Sequence, residues 1–340
     1  MPPNARRRLW LAGVTVTGTA AAAGLLAHPA DAAALPAACA GTAPIVCHYD
    51  VSPGNYDLSA SVGAGTGLEV EARRRIFTAG EAGTRTATVN VREPEGQPTG
   101  QGGTGTPGLT LTFDGAAPSV GRVTITRAWR PLVIYLAGDS TVCDQPVTPY
   151  TGWGQIFTTS VRRGAVVANY ADSGESSGSF LATAALFPTM QPLIRPGDPV
   201  LIQFGHNDKT TTAEDYRANL TALVNGVRAK GGLPILVTPT VRRLFDGAAL
   251  NATALHINSL GVDLPAEMRA VAATEAVPLI DLTARSEALV EGLGPAGSAP
   301  LFLTELNDNT HFSEYGATAM AGLVIDGIRE LHLPLVTFLR

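Results

Sequence analysis

The chain has 340 residues and a formal net charge of -5, from 24 Lys and Arg against 29 Asp and Glu; 45% of it is hydrophobic and 16% charged. This is room for two packed domains, and 37 Gly with 24 Pro imply many turns. No basic block lies in the body of the chain, so neither nucleic acid nor an anionic membrane is an expected partner.

Residues 1–32 read as an export signal. Arg6, Arg7 and Arg8 form a basic head, Leu9 to Ala27 is apolar but rich in Ala, Gly and Thr, and Ala30-Asp31-Ala32 fits a small-x-small cleavage site. The arginines ahead of Leu9, Trp10 and Leu11 look like a twin-arginine signal, with the general secretory route open as well. Cleavage would remove three Arg and Asp31, taking the net charge from -5 to -7. We therefore expect a secreted, soluble protein, since nothing downstream is apolar over a length that spans a bilayer. There are three cysteines. An oxidising compartment permits a Cys39–Cys47 bridge, which leaves Cys143 as a small buried hydrophobe. No C-x-x-C or H-E-x-x-H occurs, so no metal site and no cofactor are expected.

Residues 33–127 are expected to form an all-β domain, a β-sandwich of jelly-roll type. Tyr56 to Val62, Leu68 to Ala72, Thr86 to Val91, Leu109 to Phe113 and Val123 to Thr126 each alternate with period two, and Gly- and Pro-rich turns separate them. Gly96 to Gly108 is rich in Gly and Thr. No G-K-[ST] follows it, so it reads as a flexible hairpin loop rather than a phosphate cradle. Residues 128–131 mark a boundary without a long linker, which predicts that the two halves pack together.

From residue 132 the pattern changes. Continuous apolar runs at Leu132 to Ala137, Ala165 to Ala168, Val200 to Phe204, Pro234 to Val237 and Val277 to Ile280 read as strands covered on both faces. Helical patterns alternate with them at Ala213 to Lys230, Leu264 to Glu275, Thr283 to Leu293 and Ser313 to Leu331. Thr212 caps the first of these, and Gly231-Gly232 stop it. The expectation is a three-layer α/β/α domain with a parallel sheet over 132–340, and ligand sites on such sheets lie beyond the carboxyl ends of the strands.

Those ends carry polar groups. Gly138-Asp139-Ser140-Thr141 places a candidate nucleophile after the first strand, before an expected helix. Asn169 to Ser176 follows the second strand and includes Gly174, whose amide can stay accessible. Phe204-Gly205-His206-Asn207-Asp208 follows the third, where Asn207 can aim an amide at a developing oxyanion; His206 reads as structural. Asp308-Asn309-Thr310-His311 precedes the last helix. Its carboxylate and imidazole, three apart on one helical or 3₁₀-like turn, suit a general base held in one tautomer.

These four blocks resemble the SGNH (GDSL) hydrolase superfamily, and more narrowly its rhamnogalacturonan acetylesterase branch, over about residues 132–335. Residues 41–127 resemble, more loosely, the galactose-binding-like β-sandwich fused ahead of some members. The resemblance implies a flavodoxin-like fold, a metal-free serine esterase and acetylated plant-wall polysaccharide as substrate. Residue by residue, it makes Ser140 the nucleophile, His311 the base and Asp308 the acid member. The oxyanion hole becomes the Ser140 and Gly174 amides and the Asn207 side chain, with Gly178 as the fallback for Gly174. Tyr150 and Trp153 are candidates for stacking on a sugar, although Trp153, at a helix start, reads more readily as core, and the enzyme is expected to be a monomer. Other activities of the superfamily (xylan acetylesterase, lysophospholipase, thioesterase) and an inert carbohydrate-binding protein stay open as alternatives.

Overall fold

The computed structural model describes residues 35–93, 96–100 and 106–340. The chain divides into two units, Met1–Ala34 and Leu35–Arg340. The expected export signal and part of the Gly96–Gly108 stretch lie outside the described residues.

The antiparallel region contains β1 (Cys39–Ala40), β2 (Ile45–Tyr49), β3 (Gly54–Val62), β4 (Gly67–Val70), β5 (Arg74–Phe77), β6 (Gly83–Val91), β7 (Leu109–Asp114) and β8 (Val120–Arg127). Two sheets form, in the orders β1-β2-β7-β4-β5 and β6-β3-β8. Their alternating residues, such as Tyr56, Leu58, Ala60 and Val62 of β3 and Leu109, Leu111 and Phe113 of β7, meet in one shared core. Cys39 and Cys47 stand opposite each other in the β1–β2 ladder and are disulfide-bonded.

The α/β region contains β9 (Leu132–Ala137), α1 (Trp153–Phe157), β10 (Ala165–Asn169), α2 (Ser177–Ala182), α3 (Phe187–Met190), β11 (Pro199–Ile202), α4 (Ala213–Arg228), β12 (Leu233–Val237), β13 (Phe245–Asp246), β14 (Ala249–Leu250), α5 (Leu264–Glu275), β15 (Leu279–Ile280), α6 (Leu282–Gly297) and α7 (Glu314–Glu330). Five strands pair in parallel in the order β10-β9-β11-β12-β15. Side chains alternate between two cores. Ile134 and Leu136 of β9 join the layer with Met320 and Val324 of α7. Val133, Tyr135 and Ala137 join that with Leu220 and Val224 of α4. The two-sided burial explains the unbroken apolar runs. Thr212 caps α4 by accepting from the Asp215 amide at 3.1 Å.

The chain order reverses at β9, the switch point where such sheets open a crevice at their carboxyl edge. The antiparallel region packs beside that edge. Arg74 of β5, fully buried, donates to the Val167 carbonyl at 3.2 Å and the Asn90 carbonyl at 2.8 Å, and lies 3.0 Å from the Asp144 carboxylate. That last contact is out of line for a hydrogen bond and acts as an ion pair. Gln155 of α1 donates to the Ala72 carbonyl at 2.9 Å.

Candidate active site

After β9 the chain turns at once, with the Asp139 carbonyl accepting from the Val142 and Cys143 amides at 3.0 Å each. Gly138 supplies room here, because a Cβ would lie 2.6 Å from a Val142 methyl and 3.1 Å from the Gln203 carbonyl. The expected helix after Ser140 does not form; the next helix is α1. Asp139 is buried and ties the turn internally, accepting from the Thr141 amide at 2.9 Å and its hydroxyl at 2.7 Å. Ser140 is left at the edge of a cavity of about 440 Å³, whose lining includes Gly174, Asn207, Tyr150 and His311.

Asp308 to His311 forms a bend rather than a helical turn. The carboxylate organises it: Asp308 Oδ1 accepts from the Thr310 and His311 amides at 2.8 and 2.9 Å, while Oδ2 lies 2.7 Å from His311 Nδ1. Partial burial pushes the Asp308 carboxyl up. The bonds from the His311 amide and ring and from the Thr310 amide outweigh it and hold the group below the ordinary carboxylate range. With Nδ1 donating to Asp308, Nε2 becomes the acceptor, 2.8 Å from Ser140 Oγ. Bridges from Phe312 to Thr151 and Phe302 pin the bend from both sides.

Three donors surround the same cavity. Gly174 adopts a φ of +83°, a conformation that favours glycine. Neither its amide nor that of Ser140 donates to any described residue. Asn207 spends one amide hydrogen on the Glu175 carbonyl at 3.1 Å and keeps the other. Gly178 lies within α2, where a Cβ would face Asn219, and does not line the cavity. A serine hydroxyl, a carboxylate-oriented imidazole and spare donors can perform nucleophilic acyl transfer.

The two aromatic candidates separate. Tyr150 lines the cavity, with its ring edge-on to His311 at 5.5 Å. Trp153 is a correction: it is fully buried against Phe157, its indole donates to Gln203 at 2.9 Å, and no sugar can stack on it. His206 lines a different cavity, and its ring forms no hydrogen bond to Ser140 or Asp308 among the described residues. Cys143 is buried, and burial drives its thiol well above the ordinary range.

Gln97 is a site residue that sequence reasoning missed. It belongs to the antiparallel region, within the stretch expected to be a flexible hairpin loop. Its buried side chain lines the cavity and accepts from the Ser173 amide at 2.9 Å, one residue before Gly174. Thr99 binds the Asp172 carboxylate through its amide at 2.7 Å and its hydroxyl at 2.9 Å. Gln145 donates to the Ser140 carbonyl at 2.9 Å. No local signal marks Gln97, because its partners lie far away in sequence.

A parallel sheet ordered 2-1-3-4-5 with this constellation at its carboxyl edge defines an ester hydrolase of three-layer type. Residues 136–319 match the model of the GDSL-like lipase/acylhydrolase family. Among curated proteins, the chain is 40% identical over 223 residues to rhamnogalacturonan acetylesterase RhgT of Bacillus subtilis, covering 61% of this chain and 93% of that one. It is 36% identical over 213 residues to the probable rhamnogalacturonan acetylesterase YesY of Bacillus subtilis, covering 59% and 94%. The crystal structure of YxiM from Bacillus subtilis superposes with a TM-score of 0.55 at 22% identity, over 86% of this chain and 81% of that one. This coverage exceeds the α/β region, so the shared fold extends into the antiparallel region. The chain belongs to the GDSL-like lipase/acylhydrolase family and is a carboxylic ester hydrolase.

Proposed function

We propose that this protein removes acetyl groups from a plant cell-wall polysaccharide, with acetylated rhamnogalacturonan as the preferred substrate, and that it acts after export from the cell. The observation that carries the reading is the chain of contacts from Ser140 Oγ through His311 to Asp308, at 2.8 and 2.7 Å. The names of the relatives supply the substrate class. In this reading His311 Nε2 takes the Ser140 proton as Oγ attacks the acetyl carbonyl. The oxyanion forms about 3 Å from the Ser140 and Gly174 amides and the Asn207 side chain. His311 then protonates the leaving sugar oxygen, and water repeats the cycle to release acetate.

The test measures acetate released from acetylated rhamnogalacturonan, xylan and homogalacturonan side by side. Fastest release from rhamnogalacturonan is expected, and preference for xylan would overturn the substrate assignment. Ser140→Ala should abolish aryl acetate hydrolysis with an unchanged Tm; retained turnover would remove Ser140 from its role. A polysaccharide acetylesterase needs only a small acyl pocket, so acetate should be released faster than butyrate or octanoate, whereas faster octanoate release would favour a lipase.

A further inference from the structure

The turn between β4 and β5, Glu71-Ala72-Arg73, carries the antiparallel region to the rim of the catalytic cavity. Glu71 and Arg73 adopt φ values of +54° and +60°, left-handed conformations that residues with a side chain take only where their surroundings hold them. This turn is held from the α/β region. The Ala72 carbonyl accepts from the Gln155 side chain at 2.9 Å. Arg73 Nη1 donates to two carbonyls, those of Gln145 at 3.0 Å and Tyr150 at 2.9 Å. We propose that Arg73 is a positioning residue for the substrate: by joining the two ends of the loop 145–150, it holds Tyr150 against the sugar that carries the acetyl group. The inference rests on the acetylesterase reading above and gives the antiparallel region a part in polysaccharide specificity.

The place of the loop is the first support. Gln145, Pro146, Val147 and Tyr150 all line the catalytic cavity. Tyr150 is half-buried, with its ring edge-on to His311 at 5.5 Å. In the mechanism above His311 hands its proton to the leaving sugar oxygen. That sugar must then lie beside His311, and so beside the ring packed on it.

The two ends of the loop differ, and this is the second support. The Gln145 carbonyl also accepts from Gln155 at 2.9 Å, and the Gln145 side chain donates to the Ser140 carbonyl at 2.9 Å. Without Arg73 the end next to the nucleophile therefore stays held. The Tyr150 carbonyl has no other donor among the described residues. It shares a peptide plane with the Thr151 amide, which donates at 3.2 Å to the carbonyl of Phe312, the residue after His311. Arg73 and Phe312 thus fix that plane from opposite sides, and with it the direction in which Tyr150 leaves the backbone. Adhesion between the two regions does not depend on this arginine. Arg74 bonds the Val167 carbonyl and pairs with Asp144, and the Thr158 hydroxyl donates to the Arg75 carbonyl.

The experiment compares the full chain with its Arg73→Ala, Tyr150→Ala and doubly substituted variants. Acetate release is measured from an acetylated rhamnogalacturonan oligosaccharide and from ethyl acetate, whose leaving group has no ring to rest on the loop. The ratio of kcat/KM on the oligosaccharide to that on ethyl acetate should fall about tenfold in Arg73→Ala, through KM. Tyr150→Ala should lower the same ratio. Adding Arg73→Ala to it should change the ratio by less than about twofold, because Arg73 acts through Tyr150. An equal loss on both substrates overturns the proposal, since it would make Arg73 a purely structural bond; additive effects in the double variant overturn it too. If Arg73→Ala does not fold, Arg73→Lys carries the same test, because its ammonium ends a bond short of Nη1, and an unchanged ratio there is equally fatal. A wild type that deacetylates the oligosaccharide, with the ratio unaffected in Arg73→Ala, removes this proposal alone. A wild type inactive on the oligosaccharide removes the acetylesterase reading with it.

Discussion

Asp308 serves two structural purposes with one carboxylate, since Oδ1 closes the bend and Oδ2 orients His311. Asp308→Asn should therefore lower kcat about 10³–10⁴-fold, by analogy with other serine hydrolases, and less than Ser140→Ala does. It also predicts a pH effect on stability. The folded carboxyl titrates below its unfolded value, so the folded state binds fewer protons. Its stabilisation is fully present above about pH 3.9 and disappears as pH falls through the lower folded value. The Tm advantage of the wild type over Asp308→Asn should shrink between pH 5 and pH 2, and a constant difference would show that the carboxylate does not hold the bend. Trp153 shows two readings of one residue that only packing separates. An aromatic soon after the nucleophile suggests a sugar platform, but three-dimensional packing puts this one in the core, bonded to Gln203.

Among the elements, strands that alternate strictly and strands that are wholly apolar were legible in sequence, and so were the capped helices α4 and α7. β5 was not. Its Arg74-Arg75-Ile76-Phe77 shows no alternation of apolar and polar residues, and its two charges are buried in pairs, Arg74 with Asp144 and Arg75 with Glu69 and Asp114, at 3.0, 2.8 and 2.6 Å. Such pairing depends on residues distant in sequence, beyond the reach of any local pattern. The segment around Gln97 raises the same difficulty. Gln97→Ala would release the Ser173 amide beside Gly174, and a slight misplacement of a donor is costly. We expect kcat to fall about 10–100-fold with little change in KM. A KM change alone would make Gln97 a substrate contact instead.

For the molecule as a whole, residues 35–340 act as one compact unit because the antiparallel region contributes buried polar groups to the α/β region. Burial pushes the Asp144 carboxyl up even with Arg74 and Arg92 beside it, so the site relies on those cations. Arg74→Ala should cost about 3–5 kcal/mol in a denaturant titration, by removing the ion-pair partner of a buried carboxylate and leaving it only Arg92 and the Asn169 amide. A loss below about 1 kcal/mol would mean that water reaches Asp144.

The amino-acid sequence by itself determined the parallel-sheet architecture, because two-sided burial writes itself as apolar runs. It also pointed to Ser140, Gly174, Asn207, Asp308 and His311, because the carboxyl edge of such a sheet is where short polar blocks can meet a ligand. Only the tertiary structure decided that Trp153 belongs to the core and that Gln97 lines the catalytic cavity. It alone revealed that Arg73 of the antiparallel region joins both ends of a loop that lines that cavity. Local patterns record which way a side chain faces within its own element, whereas a cavity is made by the distances between elements.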